Sequence, residues 1–137
     1  MSNAANPPAA DSGTSQPLAG PLHDVFNYAA SVHLVGDDAD LLAQLVAVFI
    51  EQLPQLLGPL AASVANKDAK AIRQTAHALT SSVSVLSAPG TRNLAHQLEL
   101  MGLNSDLAAV DQVHTELLHE LSRLLHVLNS SSSFKAA

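Results

Sequence analysis

The side chains best suited to chemistry surround His77, near the middle of the chain. A neutral imidazole is a good nucleophile near physiological pH, because its free pKa is about 6.5. Phosphoryl transfer mainly requires that the protein position the reacting groups and place cations near the developing charge. On a helix, Arg73 would lie one turn before His77 and Lys70 two turns before it, so both can supply that charge. Short polar residues share the same sector: Thr80, Ser81 and Ser84.

The sequence around His77 predicts an amphipathic helix that carries the imidazole beside its apolar face. The apolar positions step by four and three residues: Ile72, Ala76, Leu79, Val83 and Leu86. His77 is rotated about 100° from the preceding apolar position, so it should reach solvent. Asp68 is the predicted N-cap of this helix, which should run to about Ser87. Ser81 is small and should leave a partner domain room to approach the ring.

Charge is distributed unevenly along the chain. The net charge is −6, which argues against non-specific nucleic-acid binding. Residues 66–92 nevertheless hold four of the six basic residues and only one acid, a local charge of +3. We expect this basic region to attract an anion or an acidic protein surface.

Composition favours a small helical protein. Hydrophobic residues make up 47% of the chain and aromatic residues only 3%, so the core must consist of Leu, Val and Ala, which suits helix-on-helix packing. The absence of Cys excludes disulfides and thiolate chemistry. No apolar run approaches the roughly 18 residues of a membrane helix. We therefore expect a cytoplasmic, monomeric protein that does not insert into a membrane.

The predicted fold is all-α, an antiparallel four-helix bundle with a short additional N-terminal helix. Residues 1–21 are predicted to be a disordered tail or linker, residues 22–129 the bundle and residues 130–137 a frayed tail. The short first helix should run from His23 to Val35 and end at Gly36.

The remaining helices have predicted boundaries as well. Asp37 or Asp38 should cap the second helix, whose apolar stripe is Leu42, Leu45, Phe49, Leu53, Leu56, Leu60 and Val64. Pro54 predicts a kink in it, and Gly58 allows a second break. Thr91 is the expected cap of the fourth helix, which should end at Gly102 with a stripe of Leu94, Leu98 and Met101. Ser105 should cap the last helix.

Other chemistries find less support in the sequence. No two of the seven histidines are four residues apart, and Glu-x-x-His occurs only once, at Glu116 and His119, so helical metal binding is a weak hypothesis. A catalytic serine lacks an acid on the same helix face, and no glycine-rich phosphate loop is present. His114 is interpreted as a neutral, satisfied histidine at the core edge, and His119 and His126 as surface residues. His96 is interpreted as packing, with a position facing the His77 helix as the alternative.

Residues 76–99, AHALTSSVSVLSAPGTRNLAHQLE, resemble the motif of histidine-containing phosphotransfer (HPt) domains, roughly HxLKGSSxxLGAxxLxxLCxxLE. The residues in register are His77, Leu79, Ser82, Leu86, Ala88, Leu94, Leu98 and Glu99. The resemblance extends over about residues 24–128. It implies a phosphocarrier without kinase activity of its own, in which His77 accepts a phosphoryl group from a receiver-domain aspartate and passes it to another receiver. Lys70, Arg73, Thr80, Ser81 and Ser84 would support docking or transfer.

The implied partners are receiver domains of response regulators or of a hybrid sensor histidine kinase. The sequence is compatible both with a free-standing carrier and with a piece of such a kinase. No cofactor is expected, because any Mg²⁺ would belong to the receiver. The chain departs from the motif where Thr80, Ser81 and Ser87 replace a lysine and two glycines. A domain that binds a receiver without being phosphorylated is the alternative function.

Overall fold

The computed structural model describes residues 25–130, with side chains to residue 129. The predicted tails, residues 1–21 and 130–137, lie outside this range except for Ser130, which is the last residue of the last helix. The described part is all-helical, as predicted. Its helices are α1 (Tyr28–Leu34), α2 (Ala39–Ala65), α3 (Ala69–Val83), α4 (Pro89–Leu103) and α5 (Val110–Ser130).

Helices α2 to α5 form the bundle around one apolar core. Short connections make successive helices antiparallel, and α3 and α4 share the most extensive interface. All five positions of the predicted α3 stripe are buried. In the predicted α2 stripe, Leu45 and Leu56 are only partly buried, while the neighbouring Val46 is buried in the core. Leu, Val and Ala thus supply most of the core, as the composition indicates.

Helix α1 begins at Tyr28, and the predicted start at His23 lies outside the described residues. The Asn27 side chain accepts a hydrogen bond from the backbone N–H of Ala30 at 2.9 Å, so Asn27 is its N-cap. The backbone N–H of Asn27 also donates to the carbonyl of Ser87 at 2.7 Å, which ties the start of α1 to the loop after α3. Gly36 follows the end of the helix with φ 71°, a left-handed conformation that favours glycine.

Helix α2 is continuous through both of its prolines, so the break considered near Gly58 is wrong. Asp38 caps it by accepting from the backbone N–H of Leu41 at 3.0 Å. Pro54 and Pro59 are both exposed, so the carbonyl groups that lose a helical hydrogen bond can be hydrated. The kink at Pro54 stays a prediction.

Helix α2 is also long and apolar enough, by length and composition, to cross a membrane. Core helices of soluble proteins pass the same test, and one face of α2 is buried in the bundle core.

Helix α3 begins as predicted and ends four residues early. Asp68 accepts from the backbone N–H of Ala71 at 3.1 Å, which confirms the N-cap. The helix ends at Val83 rather than Ser87. Ser87 does not continue the helix because its backbone groups bond to the α1 region. Its N–H donates to the Ser31 hydroxyl at 2.9 Å, and its carbonyl accepts from the backbone N–H of Asn27.

Helices α4 and α5 begin differently from the prediction. Ala88 is the N-cap position of α4 and Pro89 occupies its first turn, where a missing N–H costs nothing. Thr91 is therefore a buried residue inside α4, not its cap. Ser105 is not a cap either, because it lies in the turn before α5 with φ 55°. Gly102 does not end α4, which continues to Leu103.

Candidate functional site

His77 lies in the middle of α3 and is open to solvent. Its side chain is 65% exposed, whereas Ala76 and Leu79 on the adjoining face are fully buried. This is the position that the helical period predicts. The buried face fixes the helix in the bundle, so the imidazole is presented from a rigid element.

Glu99 on α4 contacts the ring of His77. The Nδ1 atom of His77 lies 2.8 Å from Oε2 of Glu99, across 22 residues of sequence. An ionised carboxylate only accepts hydrogen bonds, so Nδ1 must carry the proton. The neutral ring then has its lone pair on Nε2, the nitrogen farther from the backbone. The carboxylate therefore selects the tautomer in which the outer nitrogen has the free lone pair.

His96 contacts the same carboxylate from the other side. Its Nδ1 lies 3.5 Å from Oε1 of Glu99, one helical turn away on α4. His96 is thus part of the site, contrary to its interpretation as packing. The side chain of Glu99 is only 19% exposed and lies between the two imidazoles.

Small residues on α4 allow it to approach α3 closely. Gly102 and Ala95 are both buried in α4. A Cβ atom built on Gly102 would lie 2.6 Å from the backbone N of Arg73 and 2.7 Å from the carbonyl O of Ala69. Only glycine fits there. This contact fixes the register of α4 against α3, one turn from Glu99.

The buried face of α4 is accordingly shifted from the predicted one. Its buried residues are Thr91, Ala95, Leu98 and Gly102. Leu94 and Met101, predicted to be in the stripe, are only partly buried.

Two of the predicted supporting residues, Thr80 and Ser84, have hydroxyl groups that already donate to helix carbonyls. Lys70, Arg73 and Ser81 are exposed. Thr80 is half-buried and its hydroxyl donates to the carbonyl of Ala76 at 2.9 Å. The exposed Ser84 hydroxyl donates to the carbonyl of Thr80 at 2.8 Å. Neither hydroxyl has a proton left to donate to a phosphoryl group.

The other histidines within residues 25–130 belong to no cluster that could hold a metal. No group of three or more His, Asp or Glu side chains that could hold a metal occurs among residues 25–130. His119 and His126 are exposed, as predicted.

His114 is half-buried, and burial lowers its pKa while the nearby Asp111 carboxylate raises it. The neutral form is therefore favoured, as predicted. Its buried Nε2 has no hydrogen-bond partner within the described residues, so the expectation of a satisfied side chain is wrong.

A groove between α4 and α5 lies apart from this site. It is lined by Leu94, Leu118 and Arg123 among others, and it does not include His77. Glu99, which contacts His77, lies on the side of α4 that faces α3 instead.

Comparison with known families identifies the fold. A model of the Hpt domain matches residues 44–127, which is more than half of the chain and runs from α2 into α5. Both partners of the His77–Glu99 contact lie within this range. Neither the curated proteins nor the solved structures give a significant match. The chain belongs to the Hpt domain family, the phosphocarrier modules of two-component phosphorelays, which are not kinases themselves.

Proposed function

We propose that Nε2 of His77 accepts a phosphoryl group from the aspartate of one receiver domain and passes it to the aspartate of another. The observation that carries this proposal is the 2.8 Å contact between Nδ1 of His77 and Glu99. It leaves the lone pair on Nε2 of a side chain that is largely exposed, and it supports phosphotransfer over a docking function without phosphorylation.

The transfer step follows from this geometry. The lone pair of Nε2 attacks the phosphorus of an aspartyl phosphate, an N–P bond forms, and the P–O bond to the aspartate breaks. The electron pair of that bond leaves with the aspartate as its carboxylate. The imidazole, protonated on Nδ1 and phosphorylated on Nε2, becomes cationic. Glu99 then stabilises the positive ring, because opposite charges attract at this distance. Passage to the second receiver reverses the same steps.

Cations next to the ring complement the anionic phosphoryl group. Arg73 and Lys70 are exposed one and two turns before His77 on α3. They stand in for the lysine that the family motif has at position 80. Any Mg²⁺ would be bound by the receiver, and we propose no cofactor for this chain.

The proposal is tested by transfer from a phosphorylated receiver domain. The chain is mixed with several active receivers, each labelled with ³²P, and separated by electrophoresis. We expect label on the chain that is lost in acid and stable in alkali, as is typical of a phosphoramidate. No transfer from any of the receivers would overturn the proposal.

Replacing Glu99 by Ala should slow transfer to His77 about tenfold, since a charge-assisted hydrogen bond to a partly exposed ring is lost. Glu99→Gln keeps an oxygen that accepts from Nδ1 but lacks the charge, so its rate should lie between those of Glu99→Ala and the unchanged protein. Single-turnover transfer rates measure both. Glu116→Ala, which removes an exposed carboxylate on α5, is the matched control. Equal rates for Glu99→Ala and this control would contradict the role of Glu99.

Reversing the charge of Arg73 should weaken receiver binding. We expect about a tenfold higher Kd for Arg73→Glu at low salt and a smaller effect at high salt, since ions screen exposed charges. Arg73→Gln, which only neutralises the charge, should fall between. Titration calorimetry over a salt series measures this. A Kd and salt dependence identical to those of the unchanged protein would place the docking surface elsewhere.

We also propose that the protein acts as a monomer in the cytoplasm, with a hybrid sensor histidine kinase or response regulators as partners. A monomer leaves the exposed face around His77 free for a receiver. The interface should be small and transient, near 1,200 Å² or below.

A further inference from the structure

One carboxylate serves two histidines in this site. Oε2 of Glu99 lies 2.8 Å from Nδ1 of His77, and Oε1 lies 3.5 Å from Nδ1 of His96. The two imidazoles are 65% and 54% exposed, respectively, while the carboxylate between them is 19% exposed. The proposed phosphotransfer step uses His77 and Glu99 and gives His96 no part.

The contact with His96 limits the positions that Glu99 can occupy. A glutamate side chain has several rotatable bonds, and its carboxylate could turn away from His77. A proton on Nδ1 of His96 attracts the far oxygen of Glu99, whether that ring is neutral or cationic. At 3.5 Å this contact is longer than a hydrogen bond, so it is weak. It nevertheless favours the orientation in which the near oxygen faces His77.

We propose that His96 is a positioning residue for phosphoryl transfer at His77 and acts through Glu99. The inference rests on the proposed function. His96 holds the carboxylate so that Nδ1 of His77 keeps its proton and Nε2 keeps its lone pair. The family motif leaves position 96 unspecified. The second imidazole is therefore a feature of this chain and not of the motif.

Two substitutions separate this role from a purely structural one. His96→Ala removes the N–H that faces Glu99. His96→Asn restores an amide N–H at nearly the position of the Nδ1 atom and should therefore rescue the effect. His119→Ala, at an exposed histidine on α5, is the matched control. Because His96 is itself exposed, none of these changes should disturb folding, which circular dichroism checks.

Two readouts are compared. The first is the ring tautomer of His77, observed by ¹⁵N–¹H correlation spectroscopy of histidine-labelled protein at pH 8. The second is the single-turnover rate of phosphoryl transfer from a labelled receiver. For His96→Ala we expect a smaller fraction of the Nδ1–H tautomer of His77 and a rate about threefold to fivefold lower, the factor that corresponds to an exposed ion pair.

His96→Asn should restore both readouts, and His119→Ala should change neither. An unchanged tautomer and rate in His96→Ala would overturn the inference, and so would equal losses in His96→Ala and His96→Asn. If the unchanged protein takes up no label, the proposed function fails. The tautomer comparison still decides whether His96 positions Glu99, so the two failures are distinguishable.

Discussion

His77→Gln should abolish phosphoryl uptake, with label on the chain reduced to background. Glutamine has no nitrogen lone pair with the nucleophilicity of imidazole, so no N–P bond can form. It is a good helix former of moderate size, and position 77 is exposed, so α3 should stay folded. Electrophoretic detection of ³²P after incubation with a phosphorylated receiver measures the effect, and circular dichroism verifies the fold.

The control for this experiment is another histidine in the same molecule. His119→Gln makes the same chemical change at an exposed position on α5, and it should take up label like the unchanged protein. Label that persists on His77→Gln would show that a different residue is the acceptor. The assignment of His77 as the phosphoryl acceptor would then be wrong.

Gly102→Ala should destabilise the protein by about 2 kcal/mol and also slow transfer. Its Cβ atom would lie 2.6 Å and 3.0 Å from the backbone N and Cα of Arg73, and backbone cannot rotate out of the way as a side chain can. Helix α4 must move away from α3, at an overpacking cost of about 3 kcal/mol because backbone atoms are hit, and the ~1 kcal/mol that alanine gains in a helix offsets only part of it. The same movement lengthens the contact between His77 and Glu99. Urea unfolding measures the stability.

Gly58 provides a control with the opposite expected sign. It lies inside α2, and a Cβ atom there would meet nothing within 4 Å. Gly58→Ala should therefore stabilise the protein by up to about 1 kcal/mol through helix propensity alone. If Gly102→Ala stabilises the protein to the same degree, the close approach of α4 to α3 does not require glycine at position 102.

The helical period around His77 was sufficient to predict the buried face of α3. The apolar steps from Ile72 to Leu86 gave the buried face, and Asp68 gave the cap, because both depend on residues within a few turns. The exposure of His77 followed directly from its place beside that face. Local periodicity thus located the candidate acceptor.

The partners of His77 could not be derived from local pattern. Glu99 matched the family motif, but its contact with His77 spans 22 residues and depends on how α4 lies against α3. That register is set by the backbone contact at Gly102, which the sequence suggested was a helix end. The contact between His96 and Glu99 is local by contrast, because the two residues lie three apart on α4. The charge around the ring was predictable, whereas the orientation of the imidazole was not.

Two predicted helix boundaries, the end of α3 and the start of α4, were wrong. Thr91 looked like an N-cap, but Pro89 starts α4 two residues earlier and Thr91 is buried. Ser87 looked helical, yet its backbone is hydrogen-bonded to α1. The Ser87 case involves a contact between segments far apart in sequence, whereas Pro89 acts locally in the first turn of α4.

The most direct test is to identify the atom that carries the phosphoryl group. The chain, labelled with ¹⁵N-histidine and phosphorylated by a receiver, can be analysed by ¹⁵N and ³¹P NMR at alkaline pH, where phosphohistidine is stable. We predict one phosphoramidate, on Nε2 of His77, with a proton retained on Nδ1 facing Glu99. Phosphorus bonded to Nδ1 of His77, or to any other residue, would contradict the proposed mechanism.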